Sequence, residues 1–218
     1  MSVEREFISR EVITKKRYGY WHELLEQWTF LVERVYRVAG EKNAVYSYKE
    51  RTNVGLLSAA ATANGWIALE ECRLNKKDAT DIEEIYQGRA DLRIWRDKRY
   101  HEIEAKFLRI PLTSKSKTRL TRAAEKSIAD SSRSIKTGAK SDRKIAVTFV
   151  VPTISEIEEK QLSKEKKEYQ EELLKFIKDR KPDFTAYAFP GPACSVGSKG
   201  NRKALGVIMF GMEPPDVA

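Results

Sequence analysis

The sequence predicts an α/β fold in which a mixed β-sheet is flanked by helices. Three observations carry this prediction. Apolar residues recur at helical spacing near the N-terminus, β-rich runs occupy the middle of the chain, and one later run is almost entirely apolar and β-branched. Helical and strand-like segments alternate in a way that is typical of helices packed against a sheet. The 218 residues, of which 41% are hydrophobic, suffice for one domain with a substantial core.

Two helices are predicted first. The earlier one is amphipathic, begins at Trp21 and ends near Gly40, and its apolar residues recur at steps of three and four. We expect its aromatic side chains to lie in the core. The second helix is predicted over residues 48–64, where an Ala- and Ser-rich stretch permits close packing and Asn64-Gly65 provides the end. A strand is expected to open directly afterwards, at residues 66–69.

The middle of the chain predicts a β-hairpin. Residues 74–88 are polar, and we expect a loop with a short helical turn there. Two β-rich runs follow at residues 89–95 and 100–110, on either side of Arg96-Asp97-Lys98-Arg99. This stretch lacks the Asn-Gly type of turn but still fits a hairpin connection. A turn centred between Asp97 and Lys98 would set Asp91 directly opposite Glu104.

The remaining elements complete a predicted order of α-α-β-β-β-α-β-α-β-β. They are a basic helix from residue 113 or 114 to about 135, a strand buried on both faces at 144–151, a charged helix at 155–178, and strands at 183–189 and 204–212. No linker divides the chain. We therefore predict a single domain, comprising a core at about 48–152, an N-terminal helical extension at 1–47, and a C-terminal helix plus strands at 153–218.

Charge and composition narrow the classes of function. The net charge is +9, and residues 109–144 contain eleven Lys and Arg residues but only three acidic residues. Such clustering favours a polyanionic partner, since each neutralised phosphate releases counterions, although a well-solvated helix face is the alternative. We expect nucleic acid, with DNA as the first candidate. No apolar run approaches a membrane span, and no secretory leader is evident, so we expect no membrane association and a cytoplasmic location.

Any metal chemistry in this chain must use carboxylates. Two cysteines, Cys72 and Cys194, are too isolated for a zinc cluster, and two histidines, His22 and His101, give a His-rich site little material. Cutting a phosphodiester needs a divalent ion, and Mg²⁺ prefers one or two carboxylates plus waters. A nearby lysine can orient the attacking water. The pattern to find is therefore an Asp followed, after a gap, by Glu-x-Lys on a strand.

Three copies of Glu-x-Lys occur, and one has the useful geometry. The copies at 158–160 and 165–167 lie in the charged helical stretch, where residues two apart point in different directions. In the third copy, Glu104-Ala105-Lys106, strand alternation sends Glu104 and Lys106 to one face. The predicted hairpin places Asp91 on that face too, and two carboxylates so close repel unless a cation lies between them. A one-residue slip in register would separate them.

At this point the chain resembles the PD-(D/E)xK nuclease superfamily, also called restriction-endonuclease-like. The resemblance implies an α-β-β-β-α-β core over residues 50–151, with Ala90-Asp91 as the first motif and Glu104-Ala105-Lys106 as the second. Ala90 replaces the proline that names the first motif. Members of this superfamily also place a Glu on the first helix; Glu50 is the best match, with Glu70 and Glu71 as rivals.

The resemblance also implies roles for these residues. Asp91, Glu104 and the Ala105 carbonyl would hold Mg²⁺, with Mn²⁺ able to substitute, and Lys106 would position the water. Glu50 would assist as a further catalytic residue. Basic side chains that follow the third strand would contact the nucleic acid backbone, namely Lys115, Lys117, Arg119 and Arg122.

The sequence therefore predicts a Mg²⁺-dependent nuclease that hydrolyses phosphodiester bonds, with DNA as the expected substrate. A homodimer would suit cleavage of both strands of a duplex. Two alternatives remain open: a catalytically inactive nucleic-acid-binding module of the same fold, and a protein-interaction module that belongs to a bacterial or phage defence system. For Asp91, Glu104 and Lys106 themselves, the structural interpretation is a surface salt-bridge cluster worth about 0–1 kcal/mol per pair.

Overall fold

The structure, a computed structural model, describes residues 9–39, 44–77, 85–111, 125–126, 129, 143–155, 165–191, 194–195 and 202–213. The strands in these ranges are β1 (Ser9–Thr14), β2 (Ile67–Lys77), β3 (Ile85–Arg96), β4 (Arg99–Pro111), β5 (Arg143–Ser155), β6 (Phe184–Phe189), β7 (Cys194–Ser195), β8 (Arg202–Ala204) and β9 (Val207–Met212). The helices are α1 (His22–Ala39), α2 (Glu50–Ala63) and α3 (Glu165–Asp179), with 3-10 helices at Lys16–Trp21 and Val45–Ser47. None of these helices combines the length and the hydropathy needed to cross a membrane.

The strands form one mixed sheet in the order β1-β6-β9-β5-β4-β3-β2, and β8 pairs with both β5 and β7. Strands β2, β3 and β4 are joined as antiparallel neighbours, whereas β4 and β5 run parallel. A parallel pair needs a long connection, which here is residues 112–142. The predicted mixed α/β class is confirmed.

Two apolar cores cover the two faces of the sheet. The first core lies between the sheet and helices α1 and α2, and includes Trp21, Trp28, Leu57, Ile103 and Phe149. The second core lies beneath α3, and includes Val150, Leu173, Ile177 and Ile208. Phe149 and Val150 are successive residues of β5 in different cores, as expected for a strand whose side chains alternate between faces. The burial predicted for both faces of this strand is thus confirmed.

Both N-terminal helices form where the hydrophobic spacing predicts them. The indole rings of Trp21 and Trp28 are fully buried, which confirms that these aromatic residues are core. Helix α2 ends before Asn64, whose backbone N–H bonds to carbonyls of the last turn, and Gly65 follows with a φ of 75°. A positive φ is the ordinary reason for glycine at this position.

The hairpin between β3 and β4 has the predicted register. Arg96 pairs with Arg99, and the pairing continues in step to Leu92 opposite Ile103. Asp97 supplies the turn with a φ of 54°. Aspartate tolerates this conformation better than most residues, which explains how the turn forms without Asn-Gly.

Two predictions of the element pattern are wrong, and one strand was not predicted. Residues 74–88 do not form a loop throughout, because β2 continues to Lys77 and β3 begins at Ile85. The charged helix does not begin at residue 155, since Ser155 closes β5 and the described helix begins at Glu165. Strand β1 precedes the helices and was not predicted. Its partner β6 lies far along the chain, so no local pattern announces the pairing.

The predicted basic helix lies almost entirely outside the described residues. Helical conformation is seen at residues 125, 126 and 129. The four basic residues expected to contact nucleic acid, Lys115, Lys117, Arg119 and Arg122, fall in the part of the chain that the structure does not describe.

Candidate metal centre

The candidate site lies where β3 and β4 stop pairing. The hydrogen-bonded ladder ends at Leu92 and Ile103, and beyond it the Ala105 N–H donates to Oδ2 of Asp91 at 2.7 Å. The Asp91 carboxylate therefore occupies the position where a backbone carbonyl of β3 would otherwise bond. Because the N–H and C=O of one strand residue point to the same edge, the Ala105 carbonyl faces this opening as well.

Glu104 and Lys106 lie on one face of β4, as alternation predicts. Lys106 Nζ is 3.7 Å from Glu104 Oε1, and their side chains are 30% and 10% exposed. On the far side β5 supplies Ala146 opposite Glu104 and Thr148 opposite Lys106, so small residues flank the pair. Glu104 is thus a nearly buried carboxylate at the edge of an opening, and Lys106 is one of the groups in contact with it.

Glu50 joins this group from a different element. It is the first residue of α2, its carboxylate is half-buried, and the Phe107 backbone amide is among the groups that lower its pKa. Burial raises the pKa of Glu50; Lys106 lowers it, Asp91 and Glu104 raise it, and the net direction is upward. Four side chains from three elements therefore interact electrostatically, and Glu50, the best match on family pattern, is one of them. Glu71, by contrast, pairs with Arg89 at 3.4 Å.

The donor set has the chemistry that a hard divalent cation requires. Three carboxylates and a backbone carbonyl offer only oxygen, and one ammonium group offsets only part of their charge. Within the described ranges, however, no three His, Cys, Asp or Glu side chains are already spaced to hold a metal ion. Asp91 accepts a hydrogen bond from the Ala105 N–H, and Glu104 lies beside Lys106.

A buried ion pair that sequence analysis missed lies beside the site on the same face. Glu102, 2% exposed, accepts from Arg93 Nη2 at 3.1 Å and from the Tyr100 hydroxyl at 2.6 Å. Burial and the bond to Glu102 raise the pKa of Tyr100, and burial lowers the pKa of Lys144 although Glu102 opposes it. The signal was present in the sequence, because the hairpin register sets Arg93 opposite Glu102.

Two cations at the ends of the basic segment have structural partners. Arg109 was expected to grip phosphates, but its guanidinium donates to the Ser47 and Tyr48 carbonyls. Arg143 was expected to do the same, but it forms an ion pair with Glu213 at 2.5 Å. The excess of basic residues available to a partner is therefore smaller than the sequence count suggested.

His101 has the structural role predicted from strand parity. It is fully buried on the face opposite Glu104, stacks on Tyr20 and meets Trp21 edge to face. Its Nε2 lies 3.3 Å from the Tyr20 hydroxyl. These contacts place the imidazole in the first core and away from the acidic group.

Comparison of the chain with known proteins found no match. No protein-family model matches the chain, and neither the curated proteins nor the solved structures include a significant match.

Proposed function

We propose that this protein is a metal-dependent nuclease of the PD-(D/E)xK type. The observation that carries the proposal is the convergence of Glu50, Asp91, Glu104 and Lys106 at the point where β3 and β4 separate. Nearby carboxylates that raise the pKa of a half-buried glutamate, as Asp91 and Glu104 do for Glu50, are typical of centres that hold a cation or a proton. The helix, three strands and later parallel strand of residues 50–155 also follow the order that the superfamily implies.

Each side chain has a defined task in this proposal. Glu50, Asp91, Glu104 and the Ala105 carbonyl would hold Mg²⁺, which supplies Lewis acidity and a lower pKa for bound water when present. Lys106 donates a hydrogen bond to the attacking water and offsets negative charge on the phosphate. The water oxygen forms a bond to phosphorus and gives up a proton to solvent, while the bond to the leaving sugar oxygen breaks and that oxygen takes up a proton from solvent. Glu102 and Arg93, paired with each other, keep the neighbouring face rigid.

The test is cleavage of supercoiled plasmid, linear duplex, single-stranded DNA and RNA, with and without Mg²⁺. We expect Mg²⁺-dependent cutting that Lys106→Ala lowers by about 10²–10³-fold, the usual contribution of such a group. Lys98→Ala is the matched control, because Lys98 is exposed in the hairpin turn of the same strand pair. Equal cutting by the wild type and Lys106→Ala would remove the assignment.

A non-catalytic nucleic-acid-binding module is the second candidate. It is favoured by the spacing of the acidic side chains in the described ranges, which does not by itself match a metal-binding group. This function predicts binding that weakens steeply with salt, no turnover, and full affinity in Asp91→Ala. Binding lost in Asp91→Ala but kept in Asp97→Ala would count against it.

A further inference from the structure

The segment that delivers Glu50 to the site is held by one side chain of β4. Arg109 Nε donates to the Ser47 carbonyl at 3.0 Å, and Nη2 donates to the Ser47 and Tyr48 carbonyls at 2.5 and 2.6 Å. Three donors of one rigid guanidinium thus fix two successive carbonyls just before α2. A lysine could not make this set of contacts.

The same segment is held from its other side by Asn53. This fully buried side chain donates from Nδ2 to the Tyr46 carbonyl at 2.9 Å and to the Lys49 carbonyl at 3.1 Å. Lys49, the N-cap of α2, makes no side-chain capping bond. The start of the helix is therefore fixed by Arg109 and Asn53 and not by a cap of its own.

Strand β4 also lies close to Glu50. The Phe107 backbone amide is among the groups that lower the Glu50 pKa, and the Arg109 guanidinium lies 5.4 Å from the centre of the Phe107 ring. Phe107 and Arg109 are two residues apart and lie on the same side of β4. One short stretch of the strand thus sets both the path of the chain before Glu50 and the position of its carboxylate.

We propose that Arg109 is a positioning residue that acts through Glu50. By anchoring residues 47 and 48, it holds the first turn of α2 at the distance where Glu50 meets Phe107, Asp91 and Glu104. Its part in cation binding rests on the function proposed above, whereas its part in placing Glu50 does not. The two claims can be tested separately on the same set of variants.

The first experiment measures hydrogen exchange at the Phe107 amide in the metal-free protein. Arg109→Ala is expected to speed exchange by about tenfold or more, because the start of α2, and Glu50 with it, no longer stays beside that amide. Arg96→Ala is the matched control, since Arg96 donates to the Tyr20 carbonyl at 2.6 Å and stacks on Trp66 elsewhere in the fold. Unchanged exchange in a folded Arg109→Ala, or an equal rise in both variants, would overturn the positioning role.

The second experiment measures Mn²⁺ binding by calorimetry in the wild type, Glu50→Gln, Arg109→Ala and the double variant. Each single change is expected to weaken binding by about 10–100-fold, and the double variant to bind no more weakly than Glu50→Gln alone. Arg109→Lys should resemble Arg109→Ala. Losses that multiply in the double variant would show that Arg109 does not act through Glu50. If the wild type binds no Mn²⁺, the metal function fails, and the exchange experiment still decides the positioning role.

Discussion

Two clusters of charged side chains in this sheet differ in how their charges are matched. The balanced cluster joins the ends of β1, β5, β6 and β9 and consists of Lys15, Arg17, Arg143, Asp183 and Glu213. Asp183 is 3% exposed and contacts Lys15 at 3.0 Å and Arg17 at 2.5 Å, while its Oδ2 accepts the Glu213 N–H at 2.8 Å. Glu213 pairs in turn with Arg17 and Arg143. In this cluster three cationic side chains form ion pairs with two carboxylates.

The acidic cluster is defined by Glu50, Asp91, Glu104 and Lys106, so within this set of described residues one cation lies among three carboxylates. The pKa values differ accordingly. Burial raises the pKa of Asp183, but the Glu213 amide, Arg17 and Lys15 outweigh burial and the net pKa is lowered. For Glu50, the effects of burial, Asp91 and Glu104 together outweigh that of Lys106, and the pKa of Glu50 is raised. In the balanced cluster the charged form of Asp183 is favoured, whereas in the acidic cluster the charged form of Glu50 is disfavoured.

Breaking the balanced cluster should give the largest change in stability. Asp183→Asn removes the carboxylate that two cations and an amide share, and we expect a loss of about 3 kcal/mol in the free energy of unfolding. Urea unfolding monitored by tryptophan fluorescence measures the change. A loss below about 1 kcal/mol would mean that the cluster is no stronger than an exposed salt bridge.

Filling the acidic cluster should stabilise the protein nearly as much. Mg²⁺ at one hundred times its Kd is expected to add about 2.7 kcal/mol to the free energy of unfolding, because it binds only the folded state. Thermal unfolding with and without Mg²⁺ gives the measurement, and Glu104→Gln should abolish the gain. An equal rise in Tm for the wild type and Glu104→Gln would place the ion elsewhere.

Removing one charge from the acidic cluster should have a smaller effect of opposite sign to that of Asp183→Asn. Glu50→Gln keeps the shape of the side chain and relieves repulsion by Asp91 and Glu104, so we expect unchanged stability or a gain below about 1 kcal/mol. The same urea titration without divalent ions measures it. A clear destabilisation would indicate that the interaction with the Phe107 backbone amide outweighs the repulsion.

The smallest expected effect is a pair of opposite pH dependences. Asp183 has a lowered pKa in the folded state, so its contribution is present above the ordinary carboxyl pKa of about 4 and is lost as pH falls through the lowered value. Glu50 has a raised pKa, so stability falls as pH rises from about 4 through the raised value. Urea unfolding at a series of pH values measures this. Compared with the wild type, the free energy of unfolding should depend less on pH above about pH 4 in Glu50→Gln, and less on pH below about pH 4 in Asp183→Asn. Parallel curves for all three proteins would contradict the assignment.

The sequence was informative where the interactions are local. Strand alternation and a turn at Asp97 were enough to set Glu104 and Lys106 on one face and to give the register of the hairpin. The breaking of that ladder at Asp91 could not be predicted, because it depends on a carboxylate replacing a backbone acceptor. Glu50 could be named as a candidate only from the family pattern. Its proximity to Asp91 and Glu104 depends on packing between α2 and β4, which local sequence does not reveal.

Contacts between distant parts of the chain explain what the sequence did not predict. Strand β1 pairs with β6, so Ser9 lies opposite Phe189. Residues so far apart along the chain leave no periodic pattern that would predict their pairing. Arg109 reaches back to Ser47, so a residue counted with the basic segment is an internal anchor. Strand β2 lies at an edge of the sheet, where polar residues are common. Its polar sequence was therefore interpreted as a loop.

The place of β9 in the sheet has a consequence for how the protein is made. This strand is the last that the structure describes, yet it lies between β5 and β6, which leave the ribosome before it. The hairpins from β2 to β4 can form during synthesis from contiguous chain, whereas the β1–β6 pair cannot join them until β9 has emerged. We therefore expect a nascent chain that stalls before residue 207 to expose two unpaired strand edges and to depend on chaperones.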